Sequence, residues 1–159
     1  MSLRATLALT VEARLTSAPD VGAAKYDINE TFKNVLSNGT GLNQANNTFA
    51  DDFTIVGAGA QTYDLAGALT NPLGTVIFTA IKALLIVNTG TSPLVYGGGT
   101  NPLAAFMGAG THTVTIAPGG MMLLVDPTAA GQPVTAATGD ILRIAGTDAA
   151  GTIIIFGES

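Results

Sequence analysis

Hydrophobic and polar residues alternate from Leu3 to Leu15, with Ala8 the one exception. Leu3, Ala5, Leu7, Leu9, Val11, Ala13 and Leu15 fall on one side of the repeat, and Arg4, Thr6, Ala8, Thr10, Glu12 and Arg14 on the other. A period of two puts each set on its own face of an extended chain, so the pattern predicts a long first strand with one apolar and one mostly polar face. Pro19-Asp20 with Gly22 ends it. Tyr26 and Ile28, alternating with Lys25, Asp27 and Asn29, then predict a second strand. Phe32, Val35 and Leu36 have the spacing of a short helical turn and leave that alternative open. From Ser37 to Thr48 the chain is Asn, Gly, Thr and Gln with little apolar content, which predicts a long surface loop, the kind of segment where interactions sit.

The remainder is a succession of short apolar runs between turn signals. Phe49, Phe53, Ile55 and Val56 form a third run stopped at Gly57-Ala58-Gly59, and Tyr63-Asp64-Leu65 begins a fourth. After the turn signal Asn71-Pro72 and Gly74, the stretch from Thr75 to Asn88 is the most hydrophobic of the chain. It is β-branched at both ends, which favours a central strand over a helix. Leu94, Val95 and Tyr96 lead to a kink at Gly97-Gly98-Gly99 and a loop through Asn101-Pro102 to Phe106. Four further runs follow: Thr111 to Ala117, Met121 to Val125, Ile141 to Ala145 and Ile153 to Phe156, separated by Pro118-Gly119-Gly120, Asp126-Pro127 and other turn residues. About nine short strands at regular spacing and no convincing long helix predict an all-β fold, a two-sheet β-sandwich of the jelly-roll kind, formed by residues 1–159 as one domain.

Composition changes this picture in one respect. Only 11% of the 159 residues are charged, against about 25% in a typical soluble domain. The polar balance is carried by Thr, Asn and Gly, neutral groups that enter an interface at less cost than Lys or Glu. An obligate homo-oligomer or lattice component is therefore expected, with residues 1–15 as a long strand exchanged with, or docked on, a neighbouring subunit. The longest wholly apolar stretch, Ala83 to Val87, is far below the ~18 residues of a spanning helix, so no membrane is expected as a partner. The N-terminus lacks the apolar region and cleavage site of a secretory signal, which points to synthesis in the cytoplasm. A net charge of −5 with Arg4, Arg14, Lys25, Lys33, Lys82 and Arg143 scattered along the chain gives no nucleic-acid footprint.

Candidate chemistry is sparse. The single histidine, His112, opens a strand between two threonines. A cupin-type metal site needs several converging His and carboxylate ligands, and a Ser/His/Asp triad would rest on His112 without any Gly-x-Ser-x-Gly turn. Asp51, Asp52 and Asp64 could be imagined as a cation cluster or an acid/base pair, but Asp51 and Asp52 are neighbours in a predicted strand and would point to opposite faces. Asp126, Asp140 and Asp148 sit in turn sequences, where Asp accepts local backbone hydrogen bonds. Gly57-Ala58-Gly59-Ala60 lacks the third glycine and the following helix of a dinucleotide loop. Asn29, Asn38 and Asn46 fit the glycosylation pattern, as chance allows in an Asn/Thr-rich chain. No catalytic, cofactor-binding or metal residue is assigned, no cofactor is expected, and the chain does not read as an enzyme.

The segments Leu36-Ser-Asn-Gly-Thr-Gly-Leu-Asn-Gln-Ala, Tyr63-Asp-Leu-Ala-Gly-Ala-Leu-Thr, Phe78-Thr-Ala-Ile-Lys-Ala-Leu-Leu-Ile, Pro118-Gly-Gly and Gly139-Asp-Ile-Leu-Arg-Ile together resemble small virion-associated proteins of tailed bacteriophages, from about residue 26 to the end. The resemblance implies a jelly-roll structural protein, a head decoration or cement protein that oligomerises, often as a trimer, on the lattice of the major capsid protein. It implies a location on the virion surface and carries no catalytic residues. The rival expectation is a tail-tip or fibre-associated module that recognises a host glycan or protein. A glycan site wants an exposed aromatic, and of Tyr26, Tyr63 and Tyr96 the last, beside the glycine kink, is the one to watch.

Overall fold

A computed structural model of the chain describes residues 2–17, 22, 24–67 and 69–159. Among these the protein is all-β, with no helix. Its strands are β1 (Arg4–Ser17), β2 (Ala24–Asn38), β3 (Gln44–Ala45), β4 (Asn47–Asp64), β5 (Leu69–Asn71), β6 (Gly74–Val76), β7 (Ala80–Asn88), β8 (Leu94–Gly97), β9 (Thr113–Ile116), β10 (Met121–Val125), β11 (Gln132–Pro133) and β12 (Ile141–Glu158). The predicted turn at Pro19-Asp20 lies outside the described residues. The all-β expectation holds and β1 is the long first strand that the alternation predicts, but β2, β4 and β12, read from the sequence as short runs, are 15 to 18 residues long.

β12 organises the main sheet. β4 pairs with it antiparallel along nearly its whole length, from Ile141↔Asp64 to Gly157↔Asn47. On its other side β12 pairs first with β8, through Ile144↔Tyr96, and then with β7, from Gly151↔Asn88 to Glu158↔Ala80. β9 extends the sheet beyond β8, and β10 and β11 extend it beyond β7. The result is a strongly curled antiparallel half-barrel, accompanied by a small β1-β2-β3 sheet and the β5-β6 hairpin.

The curl passes through a β-bulge. Between the pairs Thr147↔Ala58 and Ala149↔Ile55, Val56 and Gly57 stand opposite Asp148 alone. Gly57 (φ 65) and Asp148 (φ 48) both take left-handed backbone conformations, and the Gly57 N–H donates to the Asp148 carboxylate at 2.7 Å. Bulges bend the strand and increase its twist. Across this one the buried positions of β12 change from even (Leu142, Ile144) to odd (Ala149, Ile153, Ile155), which keeps the apolar side facing the core. The glycines that looked like a strand stop at 57–59 are thus the bend within one continuous strand.

Phe49, Phe53, Ile55, Tyr63, Leu65, Phe78, Ile81, Leu84, Ile86, Leu94, Tyr96, Leu142, Ile144, Ile153 and Ile155 fill the concave side. Packing is close enough that a Cβ at Gly151 would stand 2.7 Å from the Phe53 ring and from the Val87 carbonyl. The predicted central strand is split: β6 ends at Val76, the chain then packs Phe78 inward, and β7 starts at Ala80. The helical turn considered at residues 32–36 is instead part of β2. The long loop expected at 37–48 is tied down, since Gln44–Ala45 pairs in parallel with β2, Ala45 is fully buried, and the Asn43 N–H donates to the Pro127 carbonyl at 2.7 Å.

The core strand also buries a charge. Lys82 is fully buried at a second register shift, where it stands between the pairs Phe156↔Ala83 and Gly157↔Ile81. Its ammonium donates to the Thr128 and Ala129 carbonyls at 2.5 and 2.7 Å and forms an ion pair with Glu158 Oε1 at 2.7 Å. That oxygen has no hydrogen-bond partner of good angle, so the pairing is electrostatic. Three acceptors replace the lost water and pin the 126–132 turn to the end of the sheet.

Breaking such a pair from one side strands the other charge. Glu158→Ala is expected to lower the unfolding free energy by about 3 kcal/mol, and the double substitution Lys82→Met/Glu158→Leu to lose less; urea unfolding of both variants checks this. Burial also raises the Tyr96 phenol to about 12, and raises Tyr63 further, by burial first and then by its hydrogen bond to Asp51 and the charge there. Both groups favour the protonated form when folded, so their contribution is complete below the ordinary phenol value of about 10 and is lost as pH rises above it. The urea midpoint should fall steeply above pH 10, with the loss reduced in Tyr96→Phe.

Candidate functional site

The feature of the surface that the core does not explain is the β1-β2 hairpin. Its strands pair in unbroken register from Arg4↔Ser37 to Ser17↔Ala24. Only the base packs on the body, through Ala5, Leu36 and Ala45 with Leu3, Leu7 and Phe156 around them. Beyond it both faces of the ribbon are open, with every residue from Ala8 to Ser17 exposed. At about 3.3 Å per residue, the stretch from Leu7 to Ser17 extends roughly 33 Å.

Residues directly opposite in an antiparallel pair share a face. One face of the arm is therefore Leu9/Phe32, Val11/Glu30, Ala13/Ile28 and Leu15/Tyr26. Phe32, Tyr26 and Leu15 are 62%, 65% and 70% exposed. The other face is polar. There Arg14 grips Asp27 with two hydrogen bonds, Nε to Oδ1 at 2.7 Å and an Nη to Oδ2 at 3.2 Å, and Thr10 meets Thr31 at 3.3 Å. Such exposed pairs contribute well under ~1 kcal/mol each, enough to fix register but not to hold an isolated ribbon. The long first strand read from the sequence is present, and β2 doubles its apolar face with Tyr26, Ile28 and Phe32. The signal for that second half was the alternation from Tyr26 through Ile28 to Phe32, interrupted by Glu30.

At its base the arm's apolar face opens onto the outer surface of the main sheet. Leu7, Leu9, Phe32, Lys33 and Asn34 of the arm border a groove of 380 Å³ with Leu123, Val125 and Pro127 of the body. Behind that groove the outer face of the sheet is itself apolar: Leu123, Leu85 and Ile154 lie side by side on β10, β7 and β12, and Val125, Ala83 and Phe156 form the next row. Except for the buried Ala83, these side chains are half-buried.

The residues weighed for chemistry are dispersed. His112 is exposed just before β9, with Nδ1 2.6 Å from the Met107 carbonyl oxygen. Asp51 points inward and accepts from the Tyr63 hydroxyl at 2.9 Å, whereas Asp52 points outward and accepts from Thr152 Oγ1 at 2.5 Å. Asp64 accepts from the Gly67 N–H at 2.7 Å on the outer side. Asp126 closes the 126–132 turn, and hydrogen bonds from Thr128, then Gln132, hold its carboxyl below the usual range. Asp140 is buried and accepts from the Ala137 N–H at 2.6 Å, and Asp148 serves the bulge. Among the described residues no group of three or more His, Asp or Glu side chains is placed to hold a metal ion. Tyr96 is fully buried, its hydroxyl donating to the Ala105 carbonyl at 3.2 Å, so the tyrosine singled out for sugar stacking faces the core.

No protein-family model, curated protein or solved structure matches the chain. The arm's exposed outer part and its buried base should respond differently to substitution. In dilute solution Leu9→Ser/Phe32→Ser should leave the urea unfolding free energy within about 0.5 kcal/mol of the parent, as exposed positions do. Leu36→Ala at the buried base should cost about 2–4 kcal/mol.

Proposed function

We propose that this chain is a structural protein of a tailed-bacteriophage virion, a head decoration or cement protein that self-associates, a trimer being favoured, and seats on the lattice of the major capsid protein. The observation that carries the reading is the arm: a rigidly registered ribbon with an unpartnered apolar face, set on a body of low charge. A cement protein works by adding buried area across capsomer boundaries, where many modest contacts made together outlast any one of them. A projecting ribbon supplies that area away from its own core. The curled sheet wrapped around a single large core also suits the jelly-roll sandwich expected of this class. The apolar arm face favours a protein partner over nucleic acid.

A tail-tip or fibre module that recognises a host surface is the second reading, and the exposure of Tyr26 near the outer end of the arm favours it. An aromatic there is free to stack on a sugar ring. Immunogold electron microscopy of purified particles with antibody to this chain decides between them. Label spread over the head is the expected result. Label confined to the tail would move the assignment to the receptor-binding reading, and unlabelled particles would remove the virion assignment.

A further inference from the structure

The arm's apolar face, broken only by Glu30, adjoins the groove at its base and, beyond it, the half-buried Leu123, Leu85 and Ile154 of the outer sheet face, while Phe156 beside them is taken up by the arm's own base; together they form one largely apolar strip within each molecule. We infer that a second copy of this chain covers it: the arm of one copy lies across the outer sheet face of the next, with Leu15 and Tyr26 reaching toward Leu123 and Val125. This deepens the assembly reading by naming the partner of the arm.

Area selects the arrangement. A two-stranded ribbon is about 10 Å wide, so roughly 33 Å of it covers on the order of 330 Å², and one arm contact buries about 700 Å² in all. That is below the ~1,200 Å² of the smallest stable standard interfaces. Two arms stacked face to face would bury this area once, whereas in a closed ring each copy is held by two arm contacts, about 1,400 Å² that must be lost together for it to leave, although each contact alone stays below the threshold. The reach fits as well. A body of about 120 residues has a radius of gyration near 14 Å and a diameter near 35 Å, so the arm spans about one neighbouring body. An arm-to-body contact is heterologous, and closes a ring when the rotation between copies allows.

Charge favours the same occupant. The sequence from Arg4 to Lys33 carries Arg4, Arg14, Lys25 and Lys33 against Glu12, Asp20, Asp27 and Glu30, so the formal charge of −5 resides entirely on the rest of the chain. Two bodies repel one another, while a neutral arm holding four of the six basic residues approaches an acidic body without that penalty.

The absence of cysteine allows a clean test on the purified full-length chain. Leu15→Cys and Leu123→Cys variants are mixed and mildly oxidised. The expected product is a disulfide-linked species containing one chain of each, formed in the mixture and not by Leu123→Cys alone. In parallel, sedimentation at tens of micromolar should show an oligomer that Leu15→Ser/Tyr26→Ser converts to monomer, while the urea midpoint measured in dilute, monomeric solution stays that of the parent. A wild-type monomer at that concentration, or an oligomer indifferent to the double substitution, would overturn the inference. So would crosslinking by Leu15→Cys alone without the mixed species, which would mean arm against arm, and so would association that begins only when capsid shells are added. Because no particles enter the first two measurements, their failure is separate from failure of the virion assignment.

Discussion

Strand β12 has to satisfy two ladders at once, and the shape of the molecule follows from how it does so. One edge is occupied by β4 throughout, while the other passes from β8 to β7. A straight strand would hold both partners in one flat sheet and leave a large apolar face open. The bulge at Val56-Gly57 against Asp148 bends the shared ribbon instead, and the accompanying change of parity keeps Leu142 and Ile155 on the same concave side. Every hydrophobic position of β4, β7 and β8 except the bulged, exposed Val56 is placed by pairing to this strand, so the core is a consequence of the bend.

The far end of β12 carries the second constraint. There the odd residue of a register shift is Lys82, and its fully buried ammonium must find acceptors within the protein. The Thr128 and Ala129 carbonyls and the Glu158 carboxylate supply them. The turn at 126–132 is held by this demand, and from it Pro127 accepts the Asn43 N–H that anchors the base of the arm. The arm thus stands on a chain of contacts that begins at a buried charge. Nothing comparable holds its outer part, where cross-strand pairs alone maintain the ribbon.

Legibility from sequence followed the range over which each signal acts. The alternation from Leu3 to Leu15 is a local signal, and β1 lies where it says. Met121 to Val125 is bounded by its own turn residues and is β10. By contrast, β4 runs through Gly57-Ala58-Gly59 and β12 through Gly146 to Gly151 because long ladders hold both strands extended across residues that locally favour turns. That information lies in the partner strand. Phe32, Val35 and Leu36 have helical spacing, yet pairing with Leu9, Thr6 and Ala5 overrides it. Lys82 reads from the sequence only as one of six scattered basic residues, since its carbonyl acceptors lie more than forty residues away. The site itself was half legible: alternation gave the arm's first strand, but that β2 would double the face and that the sheet beneath would be apolar on its outer side required the register.

Glu30 shows why the arm face reads as an interface despite a charge in its midst. It sits opposite Val11 between the Leu9/Phe32 and Ala13/Ile28 pairs, where a buried carboxylate would cost several kcal/mol without a partner. It belongs to β2, and along this stretch β2 has no neighbour on its other side, since β3 pairs only at Ser37 and Asn38. A side chain at a free ribbon edge can turn its carboxylate outward while its methylenes remain over the apolar strip. The same open edge brings Glu30 within reach of basic groups on whatever lies alongside. With the carboxylate turned to the ribbon's edge, the strip along Leu9, Phe32, Val11, Ala13 and Ile28 stays apolar between polar borders, as protein interfaces are built. The residues of this ribbon are distributed in that way before any partner is considered.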